Sequence, residues 1–359
     1  MKGKSKELNF EGQKVFVGID VHLTSWKVII LLEQLTHKTF SQDPRAETLA
    51  SYLRRTFPGA EYYSAYEAGF CGYSVHRSLE ACGIHNIVVN PADIPTTDKE
   101  KKQKEDSRDS RKIARCLRTG ELEAIHVPDR AIEELRGLVR YRKTLVKEIS
   151  RNKTRVKASL HFYGIEIPAE LDSASRHWSA NFSKWLATIR LSTDYGHTVI
   201  ADTVDTVDHL RSTLLKINKQ LRTIAKSEAY AHKINCLKSI PGVGLVVSMT
   251  LLTELEQINR FKNLDKLCAY IGLIPSTNSS GDKDRTGSIT PRSNKPLRGV
   301  LIESAWVASR IDPALALAYS NLCKRMKPNR AIIRIAKKLL NRIRFVLKNE
   351  TEYEYAVVK

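Results

Sequence analysis

Short, nearly continuous apolar runs separated by polar turns dominate the first ninety residues, the pattern of strands buried in a sheet. Lys14 to Glu33 reads as a β-hairpin: Val15-Phe16-Val17-Gly18-Ile19-Asp20, a turn at His22 to Ser25, then Trp26 to Leu32. A third strand is expected near Lys38 to Phe40. A helix follows from Ala46 to Thr56, with Leu49, Tyr52 and Leu53 on one side. Glu61 to Tyr66 is a strand that, like the first, ends in an acid, Glu67. Tyr73 to Cys82 reads as a helix stopped by Gly83, and His85 to Asn90 as a fifth strand closed by Pro91. This order predicts an α/β domain with a mixed sheet.

From Asp129 to about Phe162 the apolar period lengthens to that of a helix. Its seam is Leu138, Leu145, Ile149 and Val156, broken by Arg142 and Asn152. Pro168 and the Ser-rich stretch Ser173 to Ser192 interrupt it. A second long helix is predicted from roughly Val204 to His232. Its seam Leu210, Leu214, Ile217, Leu221, Ile224 has the alternating spacing of a coiled coil. Two long helices joined by an irregular insert predict an antiparallel hairpin or a dimerisation arm. Beyond them, helices are expected at Leu245 to Leu255, Phe261 to Ile271, Pro296 to Arg310 (capped by Asn294), from Asp312-Pro313, and at Asn329 to Leu347. The expected division is 1–128, an α/β domain; 129–235, a long-helix region; and 236–359, a mostly α carboxyl-terminal domain.

Composition narrows the function classes. At 359 residues with 42% hydrophobic residues, the chain is long enough for two or three domains. No apolar run approaches the ~20 residues of a membrane span, and the polar start MKGKSKELNFEG does not read as a signal peptide. The six cysteines stand apart with no C-x-x-C pair, which argues against a zinc site or a disulfide framework and fits a reducing cytoplasm. With 59 Lys and Arg against 39 Asp and Glu, the net charge of +20 implies a polyanionic partner, nucleic acid before membrane. Half of that excess lies between Thr277 and Lys359, where 17 Lys and Arg face 7 Asp and Glu.

Four acids carry the candidate chemistry. Asp106 and Asp109, in the run Lys104-Glu105-Asp106-Ser107-Arg108-Asp109-Ser110, are three apart at a predicted helix start and share one helix face. Taken alone they would read as a solvated helix start favoured by the helix dipole. Asp20 and Glu67, however, close two strands that would lie side by side mid-sheet, and functional groups of open α/β sheets gather beyond strand ends. The polar loop Asp93 to Glu105 would bring the helix of Asp106 and Asp109 back over that crevice. Four carboxylates meeting there repel strongly unless a cation lies between them, and an all-oxygen set suits a hard cation such as Mg²⁺.

These residues resemble those of a known family. VGIDVH, a strand-end Glu and K-x-D-x-x-D before a helix are similar to the DEDD insertion-sequence transposases with an RuvC-like (RNase H-type) amino domain. Those are relatives of the Piv invertase, understood as bridge-RNA-guided recombinases. The resemblance implies that Asp20, Glu67, Asp106 and Asp109 are the metal-binding tetrad. Glu105 stands where Thr is common in the family and Ser110 where Ala is common, but neither departure removes a ligand.

A second signature follows near the carboxyl end: Gly272-Leu273-Ile274-Pro275, Ser279-Ser280-Gly281, Gly287-Ser288-Ile289-Thr290 and Asn294-Lys295-Pro296-Leu297-Arg298. It resembles the carboxyl domain of the same transposases, where a Ser before Gly is the nucleophile, which implies that role for Ser280 with Ser279 as its neighbour. Ser293 replaces the Gly usual before the Asn. A serine hydroxyl needs a metal or base to act as a nucleophile. No His lies nearby in sequence, so activation is expected from the metal site of another domain or subunit. Without the surrounding signature this stretch would read as a flexible Ser/Gly loop.

Several positions suit a phosphate backbone. Pro241-Gly242-Val243-Gly244 enters a helix like a helix-hairpin-helix turn, whose free N–H groups hold phosphate, although a plain tight turn would read the same. Arg285, Arg292, Lys295 and Arg298 surround the serine stretch, and Arg334 and Lys338 lie on the basic side of the last helix. The outer face of the first long helix carries Arg136, Arg140, Lys143, Lys147, Arg151 and Arg155. No Cys/His finger or long β-ribbon reader is evident, so base readout would be delegated to a guide RNA, as the resemblance implies.

The leading expectation is a Mg²⁺-dependent DNA recombinase that uses Ser280 as nucleophile on element ends and target. It would work with a bridge RNA and as a homo-oligomer, a dimer or tetramer. A second keeps the tetrad but uses water, as in a RuvC-like Holliday-junction or structure-selective nuclease. A third is a nucleic-acid-binding protein with an idle site.

Overall fold

The computed structural model describes residues 9–95, 106–173, 175–280 and 283–355, without the side chains of residues 106–109, 277–280 and 283–286. The chain divides into two compact units, Met1–Pro128 and Asp129–Lys359.

In the first unit, β1 (Lys14–Val21), β2 (Trp26–Leu31) and β3 (Thr36–Gln42) form an antiparallel meander. After helix α1 (Ala46–Thr56), β4 (Glu61–Glu67) pairs parallel to β1. After α2 (Ser74–Ala81), β5 (His85–Val89) pairs parallel to β4, giving the order β3-β2-β1-β4-β5. The apolar runs of β1 and β2 belong to central strands covered on both faces, whereas the polar β3 lies at the edge. Along β1 the two faces separate by parity. Val15, Val17 and Ile19 pack with Leu49 and Leu53 of α1. Phe16 and Gly18 face the opposite layer, the helix α3 (Asp106–Thr119), whose Ala114 joins Ile29 and Leu31 and whose Ile113 joins Ala65 and Val89. This mixed sheet with helices is compatible with an RNase H-like fold.

The second unit is built on α4 (Arg130–Phe162) and α6 (Asp194–Ala225), each about 50 Å long at 1.5 Å per residue. They run antiparallel within one chain. Leu135 and Val139 near the start of α4 share a cluster with Leu221 and Ala225 at the end of α6, and Val156 and Leu160 share another with Ile200 and Val207. The polar breaks in the seam have internal partners: Arg142 Nε donates to Asn218 Oδ1 at 2.7 Å, and Asn152 Nδ2 to the Glu148 carbonyl at 2.9 Å. Two expectations are corrected here. The second long helix starts at Asp194, not Val204, and stops at Ala225 before a separate α7 (Glu228–Lys238). The Ser-rich insert holds a helix, α5 (Ala180–Thr188), in which the Ser179 hydroxyl accepts from Phe182 N and Phe182 and Leu186 are buried.

Helices α8 (Leu245–Leu255), α9 (Leu264–Ile271), α10 (Lys295–Ile311), α11 (Pro313–Cys323) and α12 (Pro328–Asn349) complete the unit around one apolar core. Between α9 and α10 the serine stretch is no plain loop but a two-stranded antiparallel ribbon, β6 (Pro275–Ser280) and β7 (Lys283–Ile289), closing at Ser280↔Lys283. Among the described residues no helix is long and apolar enough to cross a membrane.

Candidate active site

Two strand ends and a helix start meet at the candidate site in the first unit. The parallel register of β1 and β4 runs to Ile19↔Tyr66. One further residue places Asp20 beside Glu67 on neighbouring strands, about 4.8 Å apart along the pairing direction. Parity puts both on the α3 face, because Gly18 of β1 and Ala65 of β4 meet that helix. Asp20 Oδ2 lies 3.1 Å from His22 Nε2, and its side chain keeps 24% of its surface exposed.

The close approach of α3 is set by Gly18. A Cβ on Gly18 would stand 2.1 Å from the Ser110 carbonyl oxygen and 2.6 Å from Ala114 N. At the other end of the helix, Arg118 Nη1 donates to the Leu32 carbonyl at 3.2 Å, beyond the end of β2 that neighbours the start of β1. The helix therefore runs antiparallel to β1 and begins at the strand end that carries Asp20. Asp106 sits one turn before Ser110, the level of Gly18. Ser110 itself is fully buried, so a small side chain is what this contact admits, and serine serves as alanine would. The side chains of Asp106 and Asp109 lie outside the described residues. Among the described residues no three His, Cys, Asp or Glu side chains form a metal-holding group.

In the second unit a buried carboxylate organises the base of the serine ribbon. Glu254 of α8, 1% exposed, accepts from Arg140 Nε at 2.7 Å and Arg140 Nη2 at 2.8 Å. It also accepts from Asn294 Nδ2 at 2.9 Å, and Asn294 Oδ1 accepts from Leu297 N to cap α10. Burial opposes ionisation of Glu254, but the hydrogen bonds from Arg140 and Asn294 and the charges of Arg140 and Arg136 outweigh it and hold its carboxyl below the usual range. Sequence reasoning missed this residue. Its one signal was a lone acid in the otherwise uncharged helix Leu245–Leu255.

The sequence-predicted phosphate contacts sort into different roles. Gly242, at φ 81°, packs so tightly on α10 that a Cβ would lie 2.4 Å from the Ser304 carbonyl oxygen; close packing explains that glycine. Gly244 is the N-cap position of α8 and has open space around it. Arg298 Nη1 donates to the Thr290 carbonyl at 2.6 Å and ties α10 to the strand leaving the ribbon. Arg136 is buried and donates to the Thr253 carbonyl at 2.8 Å, so it does not belong to an outer basic face. Arg292, Lys295, Arg334 and Lys338 are exposed. Ser279 and Ser280 end β6, and their side chains, with that of Arg285, lie outside the described residues. Gly272 adopts φ 82°, and a Cβ there would fall 2.3 Å from Ser293 Cβ, so Ser293 fits beside this turn because position 272 is glycine.

Comparison with known proteins bears on both units. Residues 17–165 match the DEDD transposase model of IS110 type, and residues 234–320 match that of the IS116/IS110/IS902 transposase family. The protein y4qE of Sinorhizobium fredii, named as a transposase, is 30% identical over 244 residues, 68% of this chain and 58% of its own length. The transposase for insertion sequence element IS1533 of Leptospira borgpetersenii is 26% identical over 82% of this chain and 85% of its own length. The transposase for IS1111A of Coxiella burnetii is 25% identical over 75% and 73%. The four acids fall within the first matched segment and the serine ribbon within the second, and the chain belongs to the DEDD-type insertion-sequence transposases, enzymes of phosphoryl transfer on DNA.

Proposed function

We propose that the protein is a site-specific recombinase of an insertion sequence whose RuvC-like first unit holds Mg²⁺ on Asp20, Glu67, Asp106 and Asp109. The observation that carries this reading is the start of α3 over the β1 end, with Asp20 and Glu67 adjacent on the same face. The donor set fits the ion, since carboxylate oxygens suit a hard cation and acids so placed need one. Bound there, Mg²⁺ supplies charge stabilisation to a phosphoryl group in transfer. Helix α3 and strands β1 and β4 carry the four residues, and the Gly18 contact fixes the distance between the two layers.

In this reading Ser280, at the tip of the β6–β7 ribbon, is the nucleophile. Its Oγ–P bond forms as the bond from phosphorus to a deoxyribose oxygen breaks, and the serine proton is taken up overall by the leaving hydroxyl. One phosphodiester is exchanged for another, so no bond energy is lost before rejoining. The α4–α6 pair acts as a coiled-coil arm in a homo-oligomer, a dimer or tetramer. Base readout is delegated to a bridge RNA made from the element, which fits a DNA-associated protein of strongly positive charge.

A denaturing gel that traps covalent protein–DNA adducts tests the serine. Wild type and Ser279→Ala should give the adduct and Ser280→Ala none. An adduct of equal yield in Ser280→Ala would return the chemistry to water, as in a junction-resolving nuclease.

A further inference from the structure

A cleft of about 460 Å³ lies between α4 and the start of α10, lined by Arg140, Lys143, Lys147, Ser293, Asn294 and Lys295 among others. Three of these are lysines from two different elements, and none of the three has an acidic partner among the described residues. Lys143 reaches across the gap, its Nζ 3.7 Å from where a Cβ on Gly299 of α10 would be. Arg140 is the exception. Its charge is matched by Glu254, which also grips Asn294 and so fastens the two walls together. The cleft is thus framed by two fastened walls and carries three ammonium charges that no acid offsets among the described residues, an arrangement that favours a bound anion.

We propose that this cleft holds a phosphodiester of the DNA strand that runs to the serine ribbon. The inference rests on the reading above, that Ser280 acts on DNA. Ser293 to Lys295 lie four to six residues beyond the end of β7, so this wall adjoins the base of the ribbon along the chain. Lysines on opposite walls suit an extended backbone phosphate, because ammonium groups bind it as point charges without needing the planar fork of arginine. The cleft volume leaves room for the sugars on either side.

The test is the salt dependence of binding by the full chain, without divalent metal, to a fluorescein-labelled duplex DNA of mixed sequence and to the matching RNA duplex. A Lys143→Gln, Lys147→Gln, Lys295→Gln variant should lower the slope of log K against log salt for DNA by about 2 to 3, roughly 0.9 for each phosphate no longer neutralised. The same removal of charge at the exposed Lys216, Lys219 and Lys238 serves as control and should leave the slope near wild type. Lys147→Gln alone, one exposed side chain, should lower it by about 0.9 and decides the matter if the triple variant unfolds. A slope equal to the control's, or a change confined to RNA, overturns the proposal. Binding without metal involves no cleavage, so a failed serine assignment would leave this result untouched.

Discussion

Gly18 of β1 lies beneath Ser110 of α3 so closely that a single added carbon would stand 2.1 Å from the serine's carbonyl oxygen. That contact sets the depth at which the helix of Asp106 and Asp109 seats on the sheet of Asp20 and Glu67. Gly18→Ala must therefore lift α3 or bend β1. The overpacking should cost about 1–3 kcal/mol. Thermal unfolding should show the loss as a few degrees in Tm, and strand cleavage should fall by more than that loss explains, because misplacement of the carboxylates adds to it. Unchanged cleavage would mean that the helix start is not part of the chemistry.

Glu254 links α4, α8 and α10 through Arg140 and Asn294, and its carboxyl sits below the ordinary value of 4.5. A carboxyl depressed on folding adds stability above its unfolded value, and the gain vanishes as pH falls through the folded one. Glu254→Gln should lower stability at neutral pH by roughly 2 kcal/mol. The difference from wild type should shrink as pH falls below the ordinary carboxyl value of 4.5. A gap in Tm that stays constant across that range would show that ionisation of Glu254 is not what stabilises the junction.

At the carboxyl end, Tyr353 donates to Asp312 Oδ2 at 2.5 Å, while Arg342 Nη1 reaches the same oxygen at 3.0 Å. Burial first, then the bond to Asp312, pushes the Tyr353 hydroxyl up to about 12. A pKa raised on folding means that this contribution is complete below the ordinary tyrosine value of 10 and fades as pH rises through about 12. Tyr353→Phe should remove one late-titrating tyrosine from the alkaline absorbance curve and cost roughly 1 kcal/mol at neutral pH. Loss of a tyrosine titrating near 10 instead would show the tail detached.

Much of the first unit was legible because its strands are short apolar runs with clear ends, and the two with an acid at or next to the last position are β1 and β4. The succession strand, strand, strand, helix, strand, helix, strand implied a mixed sheet, and the order β3-β2-β1-β4-β5 came from the structure. What escaped was local structure without a strong apolar period. Phe182, Leu186 and Ile189 have helical spacing, yet the surrounding serines hid α5. The first ten residues of α6 are rich in β-branched side chains, and packing of Ile200 and Val207 on α4 overrides that preference. The ribbon Pro275–Ile289 has almost no apolar alternation to announce its strands. Within the site, Asp20 and Glu67 could be read from strand ends. Glu254 could not be assigned partners, because Arg140 lies 114 residues away and Asn294 forty.

In the proposed function four acids serve one cation, two from the sheet and two from α3. Mn²⁺ binding by calorimetry to wild type, Asp20→Asn, Asp106→Asn and the double variant measures this directly. Shared ligands predict that either substitution removes the same binding event and that the double variant is no worse than the single ones. If Asp20→Asn and Asp106→Asn each left the other's binding intact and their losses simply added, the two pairs would be separate and the proposed metal site would not exist.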